Sequence, residues 1–350
     1  MDQKPLFTVI LDTYYRPKLL KCAVDAIRRQ SYDNLEIILI NNGATRETID
    51  YLCSVESIDK RIKLIHFAEN QYHPDDPLIM LDVCLNAGLN EATGDYIFYQ
   101  SDDDWMCDDY VEKMVSLFLG HPECTTAAGL PVPVDRKGTV ISPAERKSNL
   151  RSRYMLGHEV ALDKLRGGRM FSAPGSIFSI KTDVLRASGG FHRNLDKSHL
   201  YGIVPFGVTG FDETAIFHWR RHGGQLNIQL AESGKVWLKD LENWLSEWDI
   251  EGKWQVFGST TAYEVIDTLL QIQIRSTAIW FVLHLLQGRP KVCAIMLRQI
   301  GKSGHIYRFV RKIPEAFWAR RHDVWFFPKL FLKRVFGILK LLTRDLNTPF

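Results

Sequence analysis

The sequence predicts an α/β protein: a mostly parallel central sheet flanked by helices, followed by a helical, basic C-terminal extension. Three observations carry this. Short apolar, β-branched runs alternate with helical periodicities through about the first 130 residues, the pattern of strand-helix-strand units. Polar or acidic residues follow three of those runs, at the carboxyl ends of strands where such sheets bind ligands. The charge is also divided. The whole chain carries 44 Lys or Arg against 41 Asp or Glu, a net +3. Residues 289–350 alone carry 14 basic and three acidic residues, a net +11, which leaves −8 on the rest.

The elements follow in order. Phe7 to Leu11 reads as a buried strand. Pro17 to Gln30 reads as a helix, with Leu20, Val24 and Ile27 on one face and Pro17 in the first turn. Leu35 to Ile40 is a second strand, stopped by Asn41-Asn42-Gly43, and Thr45 to Val55 a short helix. Arg61 to Phe67 is a third strand and Leu78 to Ala92 a helix. Asp95 to Tyr99 is a fourth strand, ending in Ser101-Asp102-Asp103-Asp104-Trp105. Asp108 to Leu119 is helical, with Asp108 as its expected cap. Asp212 and Glu213 are expected to open a further helix, Thr214 to His222, whose N-terminus favours negative charge.

Composition excludes several classes. Hydrophobic residues at 45% and charged residues at 24% exclude a disordered or collagen-like chain. The six cysteines show no CxxC spacing, so neither a zinc site nor a disulfide framework is expected, and a reducing compartment fits. The N-terminus lacks the basic-then-apolar order of a signal peptide. No run of about 18 uncharged apolar residues is present, so no ordinary membrane span is expected. Together these point to the cytoplasm.

Three consecutive carboxylates repel one another. Placed after a buried strand, they make a hard-oxygen site for Mg²⁺ or Mn²⁺, an ion that shares its shell with substrate phosphates. A solvated acidic turn is the competing account of the same string.

The ordered motifs resemble a family 2 glycosyltransferase of the GT-A fold. They are Phe7 to Arg16, Gln30 to Ile38, Asn41 to Thr45, Leu85 to Leu89, Thr93 to Ile97, Gly189-Gly190-Phe191 and Gly210 to Thr214. The resemblance covers about residues 5 to 230. It implies metal-dependent transfer of a sugar from a nucleotide-sugar donor (UDP-, dTDP- or GDP-linked), with inversion, to a glycan or lipid-linked glycan acceptor. Mn²⁺ or Mg²⁺ is the implied cofactor. Thr13, Tyr14, Arg16, Asn41, Asn42 and Asp102 would bind the nucleotide sugar. Asp103 would be the direct metal ligand, with Asp102 on ribose or metal and Asp104 orienting the loop. Glu213, with Asp212 beside it, would be the base. The expected organisation is a GT-A domain over 1–230, its nucleotide-sugar half about 1–130 and its acceptor half about 131–230. A Trp-rich connecting region over 231–288 and a basic amphipathic region over 289–350 follow.

Other features are weighed against plainer accounts. His218 and His222 would share a helical face, but packing explains a histidine more often than metal binding. Trp237, Trp244, Trp248 and Trp254 could stack on sugar, although core packing is the commoner fate of tryptophan. In the tail, Lys333, Lys340 and Arg344 lie opposite Leu332, Val335, Phe336, Leu339 and Leu342, the pattern of a helix lying on a membrane surface. The expectation is peripheral attachment to the cytoplasmic face, without nucleic-acid binding, and with oligomerisation left open. Two alternatives are a non-catalytic scaffold of the same fold and a sugar nucleotidyltransferase. The latter would want a Gly-rich loop after the first strand, which Asp12 to Pro17 is not.

Overall fold

The computed structural model describes residues 4–141, 153–166, 177–250 and 252–320. The expected tail helix around Leu332 to Arg344 lies outside them. The chain forms two units, 1–222 and 223–350.

The first unit begins β1 (Phe7–Thr13), α1 (Pro17–Arg28), β2 (Leu35–Asn42), α2 (Arg46–Ile58), β3 (Ile62–Phe67), α3 (Ile79–Glu91) and β4 (Tyr96–Tyr99). β1 pairs in parallel with β2 and β4, and β2 with β3. Every residue of β2 is buried, as the unbroken apolar run requires for a strand covered on both faces. Leu20, Val24 and Ile27 of α1 are fully buried against this sheet, as their spacing predicts.

The remainder of the unit is β5 (Trp105–Met106), α4 (Tyr110–Gly120), β6 (Cys124–Val134), β7 (Tyr154–Leu156), α5 (Gly157–Leu165), β8 (Ser179–Lys181), α6 (Thr182–Ala187), α7 (Leu195–Gly202) and β9 (Val208–Arg220). The nine strands form one sheet in the order β3-β2-β1-β4-β8-β6-β9-β5, with β7 on β9. β8 is antiparallel to both β4 and β6. The sheet is therefore parallel on the β1 side and mixed on the other. β6 tolerates Pro131 because β8 covers it only at Thr126 and Ala127, and at Pro133 the residue only has to accept, its carbonyl taking the Ile141 N–H at 3.0 Å beside the Val134–Val140 bridge.

Two sequence expectations are corrected. Asp108 does not cap α4. The helix starts after Asp109, whose carboxylate is taken by Lys113 at 2.6 Å and makes no cap bond. The helix expected over Thr214 to His222 is instead the second half of β9. Ala215 and Phe217 are buried on alternate positions, the two-residue period of a strand. Ladders to β6 on one side and β5 on the other hold that register.

The second unit contains α8 (Leu226–Ser233), α9 (Leu238–Ile250), α10 (Ser259–Leu286), α11 (Pro290–Lys302) and α12 (Ile306–Ala319). One face each of α10, α11 and α12 closes on a core that includes Ile274, Phe281, Met296, Ile300, Phe309 and Ala316. Over Ala262–Leu286, α10 is long and apolar enough to cross a membrane by length and composition, but half of that window is buried. A core helix passes the same test, although the sequence reading expected no such stretch. Trp244 and Trp248 pack together at 4.9 Å and are buried. Trp237 is half-buried beside Lys235, and the Trp254 side chain lies outside the description.

Candidate active site

β1, β2 and β4 run in parallel, so their carboxyl ends open on one edge of the sheet. Thr13, Asn41, Asn42 and the loop Gln100 to Asp104 stand there. The structure brings most of the expected donor-side residues together. Thr13 Oγ1 donates to Asp102 Oδ2 at 2.9 Å. Arg16, just before α1, places Nε 3.3 Å from Asp102 Oδ1, and its other end forms an ion pair with Asp103 Oδ2. His222 Nε2 meets that same Asp103 oxygen at 3.0 Å. Asp104 faces the other way and accepts the backbone N–H of Arg220 at 2.7 Å. Asp102, Asp103 and Asp104 are all buried, so the solvated-turn account fails.

Burial sets the electrostatics. Burial pushes Asp102 up to about 7, with Arg16 opposing and the nearby Asp103 and Asp12 charges adding. Burial acts in the same direction on Asp103, but the His222 hydrogen bond and the Arg16 charge hold it below the ordinary carboxylate value. Asp104 is raised well above its usual value by burial and by Asp103. Burial works against the charged form of Arg16, and the two carboxylates more than compensate. Asp103 is thus the ionised member, and Arg16 its counter-charge.

Asn41 and Asn42 are buried and already engaged. Asn41 Oδ1 accepts from the Ala44 N–H at 2.7 Å, and its amide meets His66 Nδ1 at 3.1 Å. Asn42 Oδ1 accepts from the Gln71 N–H at 2.8 Å. These bonds shape the turn and fasten the 69–72 loop to it. Gly43 makes the turn possible: its φ is +63°, and a Cβ would lie 2.3 Å from the Asn70 nitrogen. Tyr14 is exposed, its ring edge-on to Tyr15.

Asp212 and Glu213 are not brought to this cluster. The β6–β9 register runs from Gly129 opposite Asp212 directly to Leu130 opposite Ile216, so residues 213–215 bulge out of the ladder. Asp212 Oδ1 accepts the Thr214 N–H and hydroxyl at 2.9 and 2.6 Å, and Lys113 of α4 donates to the Thr214 carbonyl. Arg220, beside Asp104, pairs with Val134, five β6 residues beyond Gly129, which is roughly 16 Å along the strand.

Sequence reasoning missed two contributors. Asp12 accepts from the Tyr99 hydroxyl at 2.9 Å; burial raises its pKa, and that bond opposes the shift. Arg220 is buried, donating from Nε to the Asp103 carbonyl at 2.7 Å and from a terminal nitrogen to the Arg136 carbonyl at 2.6 Å. Its guanidinium lies 4.5 Å over the Trp105 ring, on which His218 also stacks. Arg220 and His222 grip the acidic loop from the end of β9 and just past it, and His218 holds Trp105, the residue that follows the loop. Their two-residue spacing was the available signal, hidden by the helical reading of that stretch.

The Gly189-Gly190-Phe191 motif docks on α3. Asn86 exchanges two 2.8 Å hydrogen bonds with the Phe191 backbone. A Cβ at Gly190 would lie 2.3 Å from the Asn86 oxygen. Arg193 then bridges Asp76 in the 72–77 loop to Asp82 on α3, so Asp76 has a structural role that the sequence reading did not give it.

Among the described residues, no group of three or more His, Cys, Asp or Glu is arranged to hold a metal ion. Two buried carboxylates with His222 nonetheless fit Mg²⁺ or Mn²⁺ delivered with a diphosphate, since such ions take one or two protein carboxylates and fill the shell from phosphate and water.

Comparison with known proteins gives the family and the fold. Residues 8–187 match the model of glycosyl transferase family 2. An uncharacterized glycosyltransferase of Haemophilus influenzae is 29% identical over 162 residues, 46% of this chain and 47% of the relative. The GalNAc(5)-diNAcBac-PP-undecaprenol beta-1,3-glucosyltransferase of Campylobacter jejuni is 30% identical over 100 residues, 29% of this chain and 30% of that protein. The chain thus spans less than half the length of these relatives. The solved structure of S. aureus TarS 1-349 in complex with UDP-GlcNAc is similar with a TM-score of 0.53 at 12% identity, covering 90% of this chain and 81% of that one. That likeness shows the GT-A fold. Since the family match takes in half of the sequence, including β1, β4 and the acidic loop, the chain belongs to glycosyl transferase family 2.

Proposed function

We propose that this protein transfers a sugar from a nucleotide-sugar donor to a glycan or lipid-linked glycan. The observation that carries the reading is the buried Asp102–Asp103 pair facing Arg16 and His222 at the sheet edge. Asp103, with Asp102 and His222, would hold Mn²⁺ or Mg²⁺. When bound, that ion supplies positive charge to the leaving diphosphate. Arg16 would bind a phosphate as it leaves the carboxylates. Thr13, Tyr14 and the Asn41–Gly43 turn are the proposed nucleoside side. The UDP-GlcNAc held by the S. aureus protein and the polyprenol-linked acceptor named for the C. jejuni enzyme support the two substrate classes.

Inversion requires a base at the acceptor hydroxyl, on the face opposite the leaving group. Asp212 and Glu213 are the sequence candidates, but their place in the β9 bulge, away from the acidic loop, argues against that role. The test of the whole reading is a panel of UDP-, dTDP- and GDP-sugars with Mn²⁺ or Mg²⁺, followed by thermal shift and donor hydrolysis. One donor should stabilise and be hydrolysed, and Asp103→Ala should abolish both. Stabilisation by no donor or nucleoside diphosphate would refute the reading.

A further inference from the structure

The second unit carries an exposed surface on α11 and α12, outside the acidic cluster of the first unit. α11 and α12 bury one face each in the same core, through Met296 and Ile300 on one and Phe309 and Ala316 on the other. On the opposite side of α11, Lys291, Arg298 and Lys302 recur at helical spacing and are exposed, with Ile295 among them. Among the described residues, no carboxylate pairs with any of these three cations. The contrast with their neighbours is clear: Arg308 is paired with Asp267, and Lys312 and Arg275 share Glu315.

The outer face of α12 carries large rings instead, with Arg311 among them. Tyr307, Val310 and Trp318 are 70, 43 and 62% exposed and, at spacings of three and eight, lie along one side with Pro314. Arg311 lies beside them, over the Tyr307 ring at 5.8 Å. One helix thus presents unpaired cations and the next presents aromatic rings with one apolar and one polar end.

We infer that the α11–α12 pair is a docking surface for an anionic lipid bilayer. Lys291, Arg298 and Lys302 meet the headgroups, and Tyr307 and Trp318 enter the interfacial layer. Charge complementarity selects this occupant, since three unpaired cations want anions. Interfacial aromatics select it over a nucleic acid, which would want rings set within a basic groove.

The test uses the full chain in sedimentation with vesicles of phosphatidylcholine alone and with 30% phosphatidylglycerol added. Binding should require phosphatidylglycerol and be lost in high salt. Replacing Lys291, Arg298 and Lys302 together by Gln should weaken partitioning about a hundredfold. Tyr307→Ser with Trp318→Ser should weaken it about tenfold, with melting temperature and donor hydrolysis in solution unchanged in both variants. Equal binding to both vesicles, binding to neither, or binding that both variants retain would overturn the inference. So would a loss of self-association in place of lipid binding, which would make the surface an interface between copies. Donor hydrolysis is read separately, so failure here leaves the transferase reading standing.

Discussion

Glu36 gives the sharpest test of how the site's floor is held. It lies buried in β2, where its carboxylate accepts from Thr8 Oγ1 at 2.6 Å and from the Thr93 N–H and hydroxyl at 2.8 Å each. Lys63 on β3 pairs with it at 2.6 Å, but that lysine is 48% exposed. One side chain thus ties β1, β2, β3 and the turn into β4, whose far ends carry the acidic loop. The lysine pair contributes under about 1 kcal/mol because water screens it. The three hydrogen bonds from Thr8 and Thr93 to a buried charge are worth more, about 1.5–3 kcal/mol each before relaxation. Glu36→Ala strands those donors, so we expect a loss of about 4 kcal/mol. In a unit of this size that lowers the melting temperature by about 8–16 °C. Lys63→Ala should cost no more than about 1 kcal/mol. Calorimetry and urea titration of the three proteins decide the matter. A Glu36→Ala loss below about 1 kcal/mol, or one equal to that of Lys63→Ala, would refute the argument. The pH dependence provides a second check. Burial raises the Glu36 pKa, but Lys63, Thr8 and Thr93 outweigh it and leave it lowered. The folded form therefore binds the proton less readily than the unfolded chain. The stabilisation is present above about pH 4.3 and is lost as pH falls through the folded value. The gap between wild type and Glu36→Gln should shrink there.

Arg16 bridges both carboxylates, so Arg16→Gln should bind Mn²⁺ alone more tightly than wild type, by about tenfold in electron paramagnetic resonance titration; unchanged affinity would mean that the guanidinium does not compete with the ion. Arg220→Lys keeps a charge but not the planar fork that spans two carbonyls; donor-dependent turnover should fall at least about tenfold, and the Trp105 fluorescence environment should change. Asp212→Asn and Glu213→Gln should each keep turnover within about threefold; a loss of about a hundredfold, the size of a general-base effect, would return the base to this pair.

In the parallel half of the sheet β1, β2 and β4 were legible because they are buried almost throughout and read as apolar runs. Leu35 to Ile40 needs no partner to be recognised. The acidic loop was legible for the opposite reason, since three carboxylates after such a run have no use in a core. β9 was not legible. Asp212 to His222 has acidic residues first and basic residues last, the charge order of a helix, while its strand state is decided by ladders to β6 and β5 that are distant in sequence. Arg220 was lost with it, because its partners are backbone carbonyls of Asp103 and Arg136, which no side-chain pattern announces. Asp12 was passed over as part of a turn motif, and only the Tyr99 hydroxyl on the neighbouring strand marks it as special.

β5 is two residues long and closes the end of the sheet, yet it begins on the residue after Asp104. The acidic loop and the strand that seals the sheet edge are therefore one continuous piece of chain. The Cys107 amide, bonded to the Ile216 carbonyl at 2.9 Å, reports on that seam. A ligand that tightens the loop slows solvent exchange at this amide, so occupancy of the site can be followed from the border of the sheet, without any label in the site itself.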